Sequence, residues 1–326
     1  MLPPAGSAFH LGVNLPWLDY GRDFGRDSSR HSGISLPARL AVLDREFASI
    51  QSSGATLVRW FLFADGRCGF LTERDIPLRP DDLLFPDVAA ALQIASSRGL
   101  QLCFSLLDFL WLQEHQGKRS PHPAEHVFHS AAGRAAFLEN VLIPLFREFR
   151  GHPALFAWEI ANEPEWAIRE FDRSPSARLA LSDFRSFAAE VVSAVHEFAA
   201  RPATLGSARI EWLRAWSEIG LDFLQAHFYP SADPVLAANL PEALARAAAS
   251  LNCPLLLGEI PARDPAIPGY SLERTLAACH RSGLLGAAVW RWTSPDSGAS
   301  DFAIGRVEPA SLRGWLRSQG DLGSRA

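Results

Sequence analysis

Two glutamates in this 326-residue sequence stand where short apolar runs give out. Glu163 lies in LFAWEIANEPEW (155–166), and Glu259 lies in CPLLLGEIPA. Two carboxyls about 5–5.5 Å apart can hydrolyse a glycosidic bond with retention of configuration. One is protonated and gives its proton to the leaving oxygen, while the other is ionised and attacks the anomeric carbon. These roles need different pKa values, which different surroundings must supply. A nearby Arg59 favours the ionised form of Glu259, and the Tyr229 hydroxyl can hydrogen-bond it. Glu163, buried near that anion, stays protonated until glycosylation removes the charge, and then serves as base toward water. The bland alternative is a pair of structural carboxylates held by arginines, with Pro164 simply halting a strand.

The pair can meet only if the chain carries both residues to one place. Short apolar segments alternate with longer amphipathic ones throughout. The pattern predicts strands near 9–15, 55–62, 101–107, 155–161, 203–207, 222–228, 254–260 and 286–292. It predicts helices over 38–53, 84–98, 131–149, 177–200, 208–218, 240–251, 271–282 and 309–318. Several strands are apolar on both faces, as in a parallel sheet covered by helices. Eight strand-then-helix units in this length predict one α/β domain, a single (β/α)8 (TIM) barrel over 1–326. The fifth strand has the weakest pattern. A doubly wound sheet is the alternative, but no GxGxxG or P-loop follows any strand.

Such a barrel builds chemistry at the C-terminal ends of its strands. Those ends carry Asn14 and Trp17, Arg59, Trp60 and Asp65, Asp108 and Trp111, then Asn162, Glu163 and Trp166. Further on come His227 and Tyr229, Glu259, and Trp290 and Trp292. Trp290 and Trp292 alternate to one face of the last strand, so one can line the site while the other packs. Trp17, Trp111 and Trp166 fall in rim loops, where aromatic planes can receive sugar C–H faces. Glu159, inside the fourth strand, is expected to be a buried partner for an arginine, and Glu165 a solvated loop residue. Trp158, Trp212, Trp216 and Trp315 are expected in the core. The connections 15–36, 63–83 and 108–130 are long enough to shape a cleft.

With these positions named, the chain resembles clan A glycoside hydrolases, whose catalytic glutamates end strands four and seven. FAWEIANEPEW looks like their Asn-Glu-Pro signature, LLLGEI like the nucleophile strand, HFYP like the sixth-strand His-x-Tyr segment, and AVWRW like the eighth-strand tryptophan. LVRWF resembles the second-strand arginine segment of family 5 cellulases and mannanases. The resemblance implies Glu163 as acid/base, Glu259 as nucleophile, Asn162 on the sugar 2-hydroxyl, and Trp290 lining the subsite of the attacked sugar. Family 5 cellulases often carry a histidine after the third strand, where this chain has Asp108.

Composition narrows the classes further. A net charge of −5, with no basic run, argues against a nucleic-acid partner. Lys118 is the sole lysine and lies in the polar HQGKRSPHP segment, which argues against Schiff-base chemistry. Cys68, Cys103, Cys253 and Cys279 show no metal or disulfide spacing and read as free thiols. HPAEH (122–126) matches an H-x-x-E-H metal pattern, but Pro123 argues against the regular helix such a site needs. No metal and no cofactor are therefore expected. The N-terminus lacks a signal-peptide pattern, and no apolar run is of membrane-spanning length. A cytoplasmic protein is expected if Met1 is the true start, and a secreted one if the start lies upstream. The expected partner is an oligo- or polysaccharide, β-linked glucan, mannan or a related oligosaccharide. The alternative from another class is a catalytically inactive carbohydrate-binding barrel.

Overall fold

The computed structural model describes residues 9–27, 32–74, 76–113, 127–128, 130–292 and 307–323. Eight parallel strands close into a barrel. They are β1 (His10–Asn14), β2 (Leu57–Phe61), β5 (Gln101–Asp108), β6 (Leu155–Asn162), β7 (Ala203–Ser207), β8 (Leu224–His227), β9 (Leu255–Pro261) and β10 (Gly286–Trp290). β10 pairs with β1 to complete the ring, which rules out an open doubly wound sheet. Helices cover the outside, so strands such as LVRWF and LFAWEIAN are buried along their whole length. The weakly patterned fifth strand is real and pairs with a neighbour on each side.

Local signals set the helix boundaries. Helix Pro37–Ser53 ends at Gly54, whose φ of 87° suits the left-handed C-cap. Ser130 and Ser271 cap the helices that follow them by accepting from the Gly133 and Arg274 amides. Two segments depart from expectation. The stretch 208–218 is a short 3-10 turn, Ile210–Trp216, and the helix expected from 177 begins at Leu181. The 63–83 connection contains an antiparallel hairpin, β3 (Phe70–Glu73) with β4 (Ile76–Pro80).

Strand register places the polar residues at common heights. Asn14 is opposite Arg59, Ser105 opposite Glu159, Asp108 opposite Asn162, and His227 opposite Glu259. Parallel register thus sets functional groups from six strands, β1, β2, β5, β6, β8 and β9, side by side around the barrel. No helix among the described residues is long and apolar enough to cross a membrane. The HPAEH motif and Lys118 lie outside the described residues.

Candidate active site

The site is organised around Arg59, which is 1% exposed inside the barrel. Its Nε and Nη2 donate to Glu159 at 2.5 and 2.6 Å. Nη1 donates to Glu259 Oε1 at 2.7 Å and Asn14 Oδ1 at 2.9 Å, while Nη2 also reaches Asn162 Oδ1 at 2.7 Å. A buried guanidinium is tolerated because its donors are matched in this way. Burial works against its charge, but Glu159 more than offsets this and holds the pKa up. Burial pushes Glu159 the other way, and contact with Arg59 outweighs it, so that carboxyl is lowered. Gln225 Nε2 at 2.8 Å and Ser105 Oγ at 3.0 Å complete the Glu159 shell. Glu159 is therefore the arginine's structural partner, as its position inside the strand suggests.

Glu163 and Glu259 each bring an oxygen within 4.8 Å of the other and of a His227 ring nitrogen. Glu259 is held at both oxygens, by Arg59 Nη1 at 2.7 Å and by the Tyr229 hydroxyl at 2.5 Å. Glu163 receives Trp166 Nε1 at 2.8 Å and faces His227 Nδ1 at 2.7 Å. Burial pushes the Glu163 carboxyl up to about 7, opposed by the Trp166 hydrogen bond and by Arg59. Burial raises Glu259 as well, opposed by His227, Arg59 and Tyr229. Burial takes His227 itself down to about 4, so near neutrality the ring is uncharged and Arg59 and Tyr229 supply the opposition. Only Glu259 touches a permanent cation, and the shared proton therefore belongs on Glu163. Burial raises the Tyr229 hydroxyl well above its usual range, which keeps it a donor.

The backbone at Glu163 is itself unusual, with φ 47° and ψ 48°, a left-handed conformation that glycine favours and few other residues adopt. It turns the chain from β6 into the 3-10 turn Pro164–Ala167, aiming the carboxyl across the mouth and Trp166 back onto it. The residues line a cavity of about 340 Å³. Asn162, Glu163, His227, Tyr229, Glu259, Asp108, Trp17, Trp166 and Trp290 all face it, so most of the expected site residues are brought together. Arg59 lies beneath it and acts through Glu259 and Asn162. Asn162 has its amide fixed, Oδ1 by Arg59 and Nδ2 by Asp108 Oδ1 at 2.8 Å.

Four expectations fail. Trp111 is buried rather than a rim platform, because the short helix Phe109–Leu112 turns it into a nest of Phe70, Phe128 and Phe137. Trp292 is likewise buried, with Nε1 on Glu46 Oε2 at 2.9 Å. The strand stops at Trp290, so the assumed alternation does not continue to it. Glu165 is fully buried rather than solvated, accepting from Ser207 Oγ at 2.5 Å, Trp216 Nε1 at 2.7 Å and the Ala208 amide at 3.2 Å. Trp158, Trp216 and Trp315 are buried as expected, whereas Trp212 is only partly covered and packs on Trp166.

Sequence reasoning overlooked Tyr20, Phe61 and Arg209, which also line the cavity. Tyr20 sits in the long first connection and carries no pattern of its own. Phe61 ends a strand and was open to the same strand-end scan. Glu163, His227 and Glu259 are also spaced as metal ligands are. Arg59, however, already lies 2.7 Å from Glu259, so a cation there would meet a guanidinium at close range.

No family model matches the chain. A mannan endo-1,4-beta-mannosidase from Cryptopygus antarcticus is 24% identical over 168 residues, 49% of this chain and 39% of that protein. Its counterpart from Mytilus edulis is 25% identical over 174 residues, 51% and 42% of the two chains. The matched stretch thus spans about two fifths of each curated relative. Among solved structures, the endo-1,4-beta-mannanase from Eisenia fetida superposes with a TM-score of 0.72 at 19% identity, covering 94% of this chain and 90% of that one. The likeness extends over nearly the whole barrel and establishes its fold.

Proposed function

We propose that this protein is a retaining β-glycoside hydrolase acting on β-1,4-linked mannan or its oligosaccharides. The observation that carries the reading is the pair Glu163 and Glu259, with oxygens within 4.8 Å across one cavity and unlike hydrogen-bond partners. Glu259, ionised against Arg59 and Tyr229, attacks the anomeric carbon. The glycosidic C–O bond breaks as Glu163 gives its proton to the departing oxygen. Glycosylation removes the charge on Glu259, and Glu163, now a carboxylate, takes a proton from water. That water attacks the same carbon and Glu259 leaves, restoring the starting state. Trp17, Trp166 and Trp290 offer aromatic faces along the cavity for sugar C–H surfaces, and Asn162, the residue before the acid, lines the same cavity. No step calls for a cofactor.

Mannan is preferred over glucan on the strength of the relatives' names, since hydroxyl orientation is not written in the carboxylate pair. An inactive carbohydrate-binding barrel would have no use for two carboxyls facing one cavity with unlike hydrogen-bond partners. The test is a panel of β-mannans, β-glucans and aryl β-glycosides, assayed with wild type and Glu259→Ala. Turnover of β-mannosides by wild type alone supports the reading. A panel untouched by wild type, or hydrolysed equally by the variant, contradicts it.

A further inference from the structure

Tyr20 presents a polar group that the two-glutamate chemistry does not use. Its hydroxyl is buried at the cavity wall and has no hydrogen-bond partner among the described residues. A buried hydroxyl left unpaired is costly and needs an explanation. Its ring is not loosely placed. Trp17 meets it edge-on with centroids 4.9 Å apart, and the Arg67 guanidinium lies 5.4 Å from its centre. Arg67 is anchored in turn, Nε to both Asp65 carboxylate oxygens at 2.9 Å. The hydroxyl is thus aimed by a braced shell.

Asp108 lines the same cavity, 3% exposed, at the end of β5. Its register partner is Asn162, which donates to it at 2.8 Å. Asp108 is also the first charged group, after burial, to raise the Tyr20 pKa, which places the two side chains within electrostatic reach and keeps Tyr20 a donor. Burial lifts Asp108 to about 7, with the Asn162 hydrogen bond opposing and Glu163 adding to the rise. A sugar hydroxyl is both donor and acceptor. A tyrosine hydroxyl and a carboxylate lining one cavity can therefore satisfy both of its halves.

Resting on the hydrolase reading, we propose that Tyr20 and Asp108 together read one hydroxyl of the sugar attacked by Glu259. Tyr20 donates a hydrogen bond to its oxygen, and Asp108 accepts the hydrogen bond that it donates. Asp108 is held by Asn162, the residue before the acid, so the hydroxyl belongs to the sugar at the cleavage point and is one that Asn162 leaves free. The missing partner of Tyr20 is then the substrate, and the pair acts as a specificity determinant.

The experiment compares kcat/KM for an aryl β-glycoside that wild type hydrolyses with its 3-, 4- and 6-deoxy analogues, using wild type and Tyr20→Phe. The expected result is about a tenfold loss for Tyr20→Phe on the parent substrate. A loss of at least that size is expected for wild type on one of the three analogues, with no further loss when that analogue is combined with Tyr20→Phe. Thermal melting of Tyr20→Phe is expected to match wild type or exceed it, since an unpaired hydroxyl is removed. Asp108→Asn is expected to show the same non-additive pattern. Equal turnover by wild type and Tyr20→Phe, or losses that multiply independently, would overturn the inference alone. Failure of wild type on every β-glycoside would overturn the hydrolase reading and this inference with it.

Discussion

The two halves of the mouth bury the same residue type and treat its charge differently. Near the end of β9, Glu259 keeps only 5% of its side chain open and accepts from a guanidinium and a phenol. At the end of β6, Glu163 keeps 16% of its side chain open and meets an indole N–H and an uncharged imidazole. Burial raises both carboxyls, so burial alone cannot assign roles. The discriminating feature is one arginine, 2.7 Å from one glutamate and bonded to the asparagine preceding the other. A third carboxyl sharpens the point. Burial also lifts Glu165 to about 7, but its three hydrogen bonds lie in the wall between the β6 and β7 exits. A raised pKa without a cavity is architecture.

The largest effect is expected at the nucleophile half. Glu259→Ala should lower kcat by roughly 10⁴-fold or more, because no covalent intermediate can form. Next is the acid half. Glu163→Gln should slow substrates with poor leaving groups by roughly 10²–10⁴-fold, and those with strongly activated aryl leaving groups much less. Equal losses on both substrate types would remove the assignment of Glu163 as acid. The pH profile of kcat/KM separates the halves again. Glu163 must be protonated, and with a pKa near 7 activity should fall as pH rises above about 7. Glu163→Gln should lack that alkaline limb, while Arg59→Lys should move the acid limb to higher pH by weakening the cation on Glu259. The smallest effect is expected at Glu165. Its folded pKa of about 7 lies above the ordinary 4.5, so the protonated form favours folding and stability is lost as pH rises between those values. Glu165→Gln should flatten that dependence in thermal melts with little change in the shape of the kcat profile.

Much of this was legible in the sequence because parallel barrel strands write themselves as continuous apolar runs, and chemistry collects where the runs stop. Glu163, Glu259 and their partners His227 and Tyr229 were found by that rule. The rule fails where a connection folds on itself. The hairpin β3–β4 is short and carries Pro77 and Pro80, so it reads as loop, yet its Phe70 stacks on Trp111 and draws that side chain out of the rim. Glu165 looked solvated because its partners Ser207, Ala208 and Trp216 belong to the next strand and turn, contacts with no local pattern. Tyr20 went unnoticed for the same reason, since its meaning comes from Arg67 in the next connection and Asp108 at the end of β5 as well as from nearby Trp17.

The central claim is that Glu259 attacks carbon while Glu163 serves first as acid and then as base, and two displacements at one carbon preserve its configuration. Proton NMR of the first-formed reducing sugar, recorded before mutarotation, reads this directly on a β-mannoside substrate. The β-anomer is expected first. The α-anomer appearing first would mean a single inverting displacement, and would contradict the roles given to both glutamates.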